Sequence, residues 1–333
     1  MLQQARRKLD WPADREFRLL SIDGGGIKGI FAAALLARLE SVHLAGRGLA
    51  SCFDMIAGTS TGAIISLGLG AGTPASHILD LYMERGAAIF PHRRQFGVLG
   101  PAFSSAALAR EMKSMFGEQV LGDLTARVCI PSADGRHGDV AVFKTPHHPD
   151  FKRDWAMLIK DVALASSAAP TFLRVHEADG YQFIDGGVWA NNPVMVGVVD
   201  ALSCFDIRAS QIRILSIGAG MTKPLLGAGP LAFGGALGWL HRGILIESMM
   251  HYASVNADGQ ASLLVGRDRI LRVEPTGAAA GVHMTDHAAA KALLPNEANR
   301  LAGQFGDEFA AFIRQDRSPP TFYHGRNAAV PIA

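Results

Sequence analysis

An α/β fold with a predominantly parallel sheet sandwiched between helices is predicted by three features of the 333-residue sequence. Short apolar runs of strand length recur along the chain, with helix-length stretches between them, an alternation that implies parallel pairing and helices on both faces of the sheet. Twice a strand enters a glycine turn and leaves as a helix of small and aliphatic residues, at 17–42 and at 53–67. The hydrophobic content of 49% is enough to fill a large core.

Residues 1–16 form a polar arm without the apolar core of a signal peptide, so a cytoplasmic protein is expected. From 17 to 333 a single domain is expected, its last part, 221–333, being a candidate lid or regulatory region. Phe17–Ile22 is the first strand. Asp23-Gly24-Gly25-Gly26-Ile27-Lys28-Gly29 follows as a turn rich in exposed N–H groups, and Ile30–Val42 is a helix. Ser76–Phe90 has helical spacing with Ser76 as its cap. The basic stretch Pro91–Gly97 is read either as a solvated loop or as a contact for an anionic headgroup. A helix over Ser105–Phe116 precedes strands at Ala126–Ile130 and Val140–Lys144, with Asp134-Gly135 in the turn between them.

Trp155–Ala169 reads as a helix ended by Pro170, then Tyr181–Ile184 as a strand running into Asp185-Gly186-Gly187 and a helix over Val194–Leu202. Ile212–Ile217 is a buried strand. Pro224–Leu240 is uncharged and glycine-rich, slightly short and too rich in glycine for a membrane span, and reads as an apolar loop that forms part of a lid or a membrane-contact surface near a lipid entrance, or else as a segment buried against the core or in a dimer interface. A helix over Ile244–Val255, a strand near Arg269–Val273 and a final helix over Thr285–Arg314 complete the order.

The chemistry is written in the turns. Gly58-Thr59-Ser60-Thr61-Gly62 between a strand and a helix is the pattern of a nucleophile elbow: the serine is forced into an unusual backbone conformation, and Gly58 and Gly62 remove side chains that would clash. Ser60 is thus the candidate nucleophile. Gly24, Gly25 and Gly26 are candidate oxyanion donors from the neighbouring turn, with Lys28 adding positive charge and Gly29 completing it. Asp185 ends a strand before Gly186 and Gly187, where it can approach an adjacent elbow, although a helix cap would give the same local pattern.

Other classes fit less well. Gly24-x-Gly26-x-x-Gly29 satisfies a dinucleotide-binding fingerprint, but the following strand ends in Gly58 and Ser60 where that fold needs an acid. A non-catalytic nucleotide-binding module would also leave Ser60 and Asp185 unexplained. A Ser-His-Asp esterase completed by His283 or His287 is the alternative among enzymes. With 32 basic and 30 acidic residues there is no bulk charge for polymeric nucleic acid. Cys52, Cys129 and Cys204 are scattered without metal-ligand spacing, so neither zinc nor a disulfide is expected.

The three blocks 23–29, 58–62 and 185–187, in that order, together with Ser166-Ser167-Ala168-Ala169-Pro170 and Asn191-Asn192-Pro193, resemble the patatin-like phospholipases over roughly Phe17 to Gly220. The resemblance implies the patatin-like three-layer α/β/α fold and a serine lipid acyl hydrolase with a Ser60–Asp185 dyad, no catalytic histidine and no cofactor. Lys28 stands where the family often has arginine. The wording of the blocks is most similar to bacterial members, a group that includes effectors of cyclic-oligonucleotide anti-phage signalling. It therefore implies a phospholipid membrane as substrate surface, a cyclic dinucleotide as allosteric activator, a homodimer or higher oligomer on activation, and a location peripheral to the inner membrane when active. Arg93, Arg94, Arg267, Arg269 and Arg272 are the basic groups available to a nucleotide's phosphates.

Overall fold

The strand β1 (Phe17–Ile22) divides two apolar layers, because Leu20 and Ile22 enter one core cluster while Phe17 and Leu19 enter the other. Burial on both faces is what a near-continuous apolar run demands. The computed structural model describes residues 6–90, 103–220, 244–313, 316–317 and 319–329.

The eight strands are β1, β2 (Met55–Gly58), β3 (Val128–Asp134), β4 (Asp139–Lys144), β5 (His176–Ala178), β6 (Tyr181–Asp185), β7 (Ile212–Ile217) and β8 (Ile270–Val273). They form one sheet in the order β5-β6-β3-β2-β1-β7-β8, with β4 paired to the other edge of β3. Pairing is parallel from β3 through β2, β1 and β7 to β8, and antiparallel where β3 meets β4 and β6 and where β5 meets β6. The sheet is therefore mixed, parallel through its centre.

One face is covered by α1 (Gly29–His43), α2 (Thr61–Gly70), α3 (Ala75–Ile89), α4 (Ser105–Phe116) and α5 (Ile159–Ser167). The short α6 (Gly187–Ala190) leads into α7 (Val194–Cys204), which covers the other face together with α8 (Ile244–Val265). After β8 come α9 (Gly277–Ala280), α10 (His287–Gln304) and α11 (Gly306–Ile313), of which the last two return to the first face.

One register positions the site. β2 runs beside the start of β3, with Ala57 opposite Cys129, and β6 runs the other way along the same edge, with Asp185 opposite Ser132. The two strands therefore meet end to end on β3, and the turn that follows each one faces the other.

Several boundaries differ from those expected. The helix expected over Trp155–Ala169 starts only at Ile159, because Leu121 N–H donates to Met157 O and Ile159 N–H to Gln119 O, holding 157–159 extended. Ser76 is not a cap; α3 begins at Ala75 behind Pro74. The helix expected to end at Val255 continues to Val265, since Ala257, Ala261 and Val265 keep one buried stripe through the polar stretch. The final helix is two, divided at Phe305 before Gly306. The arm is less polar in its packing than in its composition. Trp11 lies 4.9 Å from the Phe17 ring, and Leu9 N–H donates to Cys204 O at 2.7 Å. The basic stretch at 91–97 and the apolar run at 224–240 lie outside the described residues.

Candidate active site

Ser60 stands between β2 and α2 with φ 55° and ψ −117°, a conformation costly for a residue with a side chain. The surroundings hold it there. A Cβ on Gly58 would lie 2.1 Å from the Gly62 carbonyl, and one on Gly62 would lie 2.2 Å from the Ile22 carbonyl, so only glycine lets α2 start this close to β1 and β2. The Ser60 N–H donates to Ser166 Oγ at 3.0 Å, and Ser166 Oγ in turn donates to the Pro131 carbonyl at 2.7 Å. Thr61 and Tyr82 join their hydroxyls at 2.5 Å beside it.

Asp185 is 3% exposed and its Oδ1 accepts the Gly187 N–H at 2.7 Å. Burial pushes its pKa up to about 6, against the lowering effects of that N–H and of the Ser60 hydroxyl. A carboxylate poised there holds enough proton affinity to act as a base near neutral pH. Gly186 is required by packing, for a Cβ would lie 2.3 Å from Pro131 O. The fold thus brings the two residues expected to form the dyad to one point.

The glycine turn is only partly as expected. The Gly24 N–H is already donated to the Asn191 carbonyl at 3.0 Å, which closes the turn onto the Asn191-Asn192-Pro193 segment. The N–H groups of Gly25 and Gly26 have no acceptor among the described residues, and Gly26 lines the same cavity as Ser60. Lys28 is not in the cavity wall: its ammonium is buried and donates to the Gly220 carbonyl at 2.9 Å. Burial lowers its pKa to about 8, opposed by Glu247, Glu274 and Asp23. Its charge ties the turn to the end of β7 instead of pointing at a substrate.

Asp23, at the head of the turn, is gripped by both terminal nitrogens of Arg272 at 2.9 and 2.6 Å. Burial raises Asp23 to about 6 even with Arg272 pulling it down. Arg272 also meets Ser216 Oγ and Glu274, and Arg269 meets Glu16 at 2.7 Å, so two of the arginines proposed for phosphates already have carboxylate partners.

Beside Ser60 and Asp185 lies a cavity of about 700 Å³, its open mouth included, walled by Ile64, Leu81, Leu108, Met112, Phe172 and Met250 among others. Its polar lining is Ser60, Thr61, Tyr82, Ser167, Asp185 and Thr285, against walls that are otherwise mainly apolar. Neither His283 nor His287 lines it; His283 pairs with Thr285 Oγ1 at 2.8 Å and Glu247 at 3.3 Å, and His287 packs against Gly86. The order required for a Ser-His-Asp triad is therefore not assembled among the described residues.

One cluster was hidden by sequence distance. Cys129, His147 and Asp200 place potential ligand atoms within 4.8 Å of one another, all buried. These groups are engaged internally: His147 Nε2 lies 2.7 Å from Asp200 Oδ2, its Nδ1 meets Thr145 Oγ1, and the Lys144 ammonium holds the other carboxylate oxygen. Burial would raise the Asp200 pKa, but His147 and Lys144 hold it well below the usual carboxylate range.

Residues 20–198 match the patatin-like phospholipase family, more than half of the chain, and the chain belongs to that family. A relative named cGAMP-activated phospholipase from Pseudomonas aeruginosa is 32% identical over 95% of this chain and 98% of its own length. Relatives of the same name from Vibrio cholerae and Escherichia coli are 36% and 37% identical over 61% and 60% of this chain. These two matches span 64% and 61% of the relatives' own lengths.

Proposed function

We propose that the protein is a serine lipid acyl hydrolase of phospholipase A type, releasing free fatty acid and lysophospholipid from membrane phospholipid. The observation that carries this reading is that Ser60 and Asp185 together line one cavity whose other walls are mainly apolar. A cavity of that character suits an acyl chain with its ester bond at the mouth of the dyad.

In this reading the Ser60 oxygen attacks the ester carbonyl while its proton passes to the Asp185 carboxylate. The Gly25 and Gly26 N–H groups take the developing oxyanion. Collapse to the acyl-enzyme expels the lysolipid alcohol, which takes the proton from Asp185. Water then gives its proton to Asp185 as it attacks the acyl group, and as the fatty acid leaves, the departing Ser60 oxygen takes that proton from Asp185, which restores both groups. No metal or organic cofactor is used in this scheme.

The relatives' names support an activating cyclic dinucleotide, and with it a role in anti-phage defence. About 100-fold activation from a rare active state needs roughly 2.7 kcal/mol of differential nucleotide affinity. No helix among the described residues is long and apolar enough to cross a membrane, which accords with action from the membrane surface.

The test is hydrolysis of defined phospholipid vesicles with and without cGAMP, alongside labelling by a fluorophosphonate. Wild type should release fatty acid and lysolipid and be labelled at Ser60. Ser60→Ala and Asp185→Ala should each abolish release, with the double variant hardly worse than either, because the two groups act as a unit. Substantial turnover by Asp185→Ala would end the dyad assignment. Full activity without nucleotide would remove only the regulatory part.

A further inference from the structure

Three consecutive residues at the C-terminal end of α5 serve the two halves of the site. Ser166 Oγ accepts the Ser60 N–H, and the Ala168 carbonyl accepts the Asp185 N–H at 3.0 Å. Ser167, between them, lines the cavity together with Ser60 and Asp185 and is 5% exposed. Its Oγ is buried and makes no hydrogen bond to any described residue. The other polar groups of the lining have partners: Thr61 and Tyr82 hold each other, Thr285 meets His283, and Asp185 accepts the Gly187 N–H and the Ser60 hydroxyl. A buried hydroxyl without a partner is costly, and native proteins keep such groups where function uses them.

Which atoms it serves follows from the side of the site it occupies. Gly25 and Gly26 follow β1, which lies along one edge of β2. β3 lies along the other edge, and residues 166–168 are tied to β3 through the Pro131 carbonyl and to β6 through the Asp185 N–H. Ser167 is therefore on the Asp185 side of Ser60, away from the N–H groups proposed for the oxyanion. Two oxygens pass through that side in the reaction proposed above: the alcohol oxygen that leaves with the Asp185 proton, and the water that later brings one.

We propose that the Ser167 hydroxyl binds these two oxygens in turn, an assignment that rests on the hydrolase reading of the same site. During acylation Ser167 donates its O–H to the alcohol oxygen of the ester, as the bond from that oxygen to the acyl carbon breaks and the oxygen takes the Asp185 proton. During deacylation Ser167 Oγ accepts one hydrogen of the water, while the other passes to Asp185 and the water oxygen bonds to the acyl carbon. Ser167 keeps its own proton throughout, so the proton balance between Ser60 and Asp185 is unchanged. One hydroxyl serves both steps because it donates one hydrogen bond and accepts others, and no hydrogen bond to a described residue fixes its χ1. The second step depends on it more. A leaving alcohol is positioned by the rest of the lipid, whereas a water is held only by the hydrogen bonds it finds.

The experiment compares Ser167→Ala and Ser167→Thr with wild type on p-nitrophenyl butyrate, with cGAMP in every sample. p-Nitrophenolate leaves without needing a proton, so this ester isolates the water step. Ser167→Ala should lower steady-state turnover roughly 10–100-fold. Ser60 should then accumulate as its butyryl ester, read by intact mass after an acid quench, and that ester should decay more slowly by the same factor. Labelling by a fluorophosphonate should keep its wild-type rate, because no water takes part, and Tm should be equal or higher, since an unsatisfied buried group has been removed. Ser167→Thr, which keeps the hydroxyl, should recover part of the turnover. Wild-type turnover by Ser167→Ala overturns the proposal, and so does reduced turnover without accumulated acyl-enzyme. Labelling that falls in step with turnover, together with a lower Tm, would make Ser167 a packing residue only. A wild type that is neither labelled at Ser60 nor able to cleave the ester overturns the hydrolase reading and this proposal with it, a result distinct from an active wild type matched by Ser167→Ala.

Discussion

Ser166 Oγ accepts the backbone N–H of Ser60 at 3.0 Å and donates its own O–H to the Pro131 carbonyl at 2.7 Å. The strained conformation of Ser60, the proposed nucleophile, is therefore anchored to β3 through one buried hydroxyl on α5. Removing it leaves a buried N–H without an acceptor, which costs about 1–3 kcal/mol. Ser166→Ala should lower kcat by roughly 10–100-fold, with smaller change in KM, because the misplacement falls on the attacking oxygen. Ser166→Thr, which keeps the hydroxyl, should retain more of the rate. Equal loss in both variants would mean that packing, and not the hydrogen bond, is what matters.

Asp185 sets a pH dependence of definite sign. In its proposed role as base it must be ionised, so kcat/KM on a non-ionising ester should rise with pH and level off above an apparent pKa near 6, not near the ordinary value of about 3.9. Because its folded pKa lies above the unfolded one, the folded state binds more proton between about 4 and 6, and this residue's contribution to stability falls as pH rises through that window. Asp185→Asn keeps an acceptor for Gly187 while removing the buried charge. It should abolish hydrolysis yet raise stability at pH 8 by about 1–3 kcal/mol, readable as a higher Tm. An acid limb near 4, or a lowered Tm at pH 8, would contradict the assignment.

The Asp23–Arg272 pair ties the head of the glycine turn to β8. Breaking a buried pair from one side strands the other charge, at a cost of about 3–5 kcal/mol. Arg272→Met should therefore be strongly destabilising, and adding Asp23→Asn should recover part of the loss in a denaturation cycle. If the two substitutions simply add, the pair is not coupled and the turn is held by other contacts.

Much of this site was legible because glycine marks backbone demands that no other residue meets. Gly58 and Gly62 face carbonyls at distances that exclude a Cβ, so the elbow could be read from the pentapeptide and its flanking apolar runs. Asp185 was legible as a strand-end carboxylate, but its meeting with Ser60 depends on β2 and β6 sharing one edge of β3, a register set by pairing Ala57 with Cys129 and Ser132 with Asp185, residues far apart in the sequence. Where Gly24 and Lys28 spend their donors was equally invisible, since Asn191 and Gly220 are distant in sequence. The β5–β6 hairpin did leave a local signal: Asp179 and Gly180 take φ 49° and 81°, as an Asp-Gly hairpin turn does. That signal is overshadowed by the polar sequence around it.

The cavity walls imply a preference that can be moved. Ile64 lies one turn beyond Ser60 on α2, and Leu108 and Met112 close the same cavity from α4. In the proposed function an acyl chain seated against Ser60 and Asp185 would run between these side chains, so filling the space from α4 should shorten the chain that fits without touching Ser60, Asp185 or the glycine turn. Leu108→Trp should lower the rate on a long-chain ester at least tenfold relative to a short-chain one, since a displaced chain loses about 0.8 kcal/mol for each methylene left in water. Short-chain turnover should remain near wild type, which separates a blocked pocket from a damaged fold. Overpacking alone typically costs about 1–3 kcal/mol of stability, so Tm is measured on the same samples. Equal losses on both esters, tracking a lower Tm, would show that Leu108 is core to α4 and that the acyl chain takes another path.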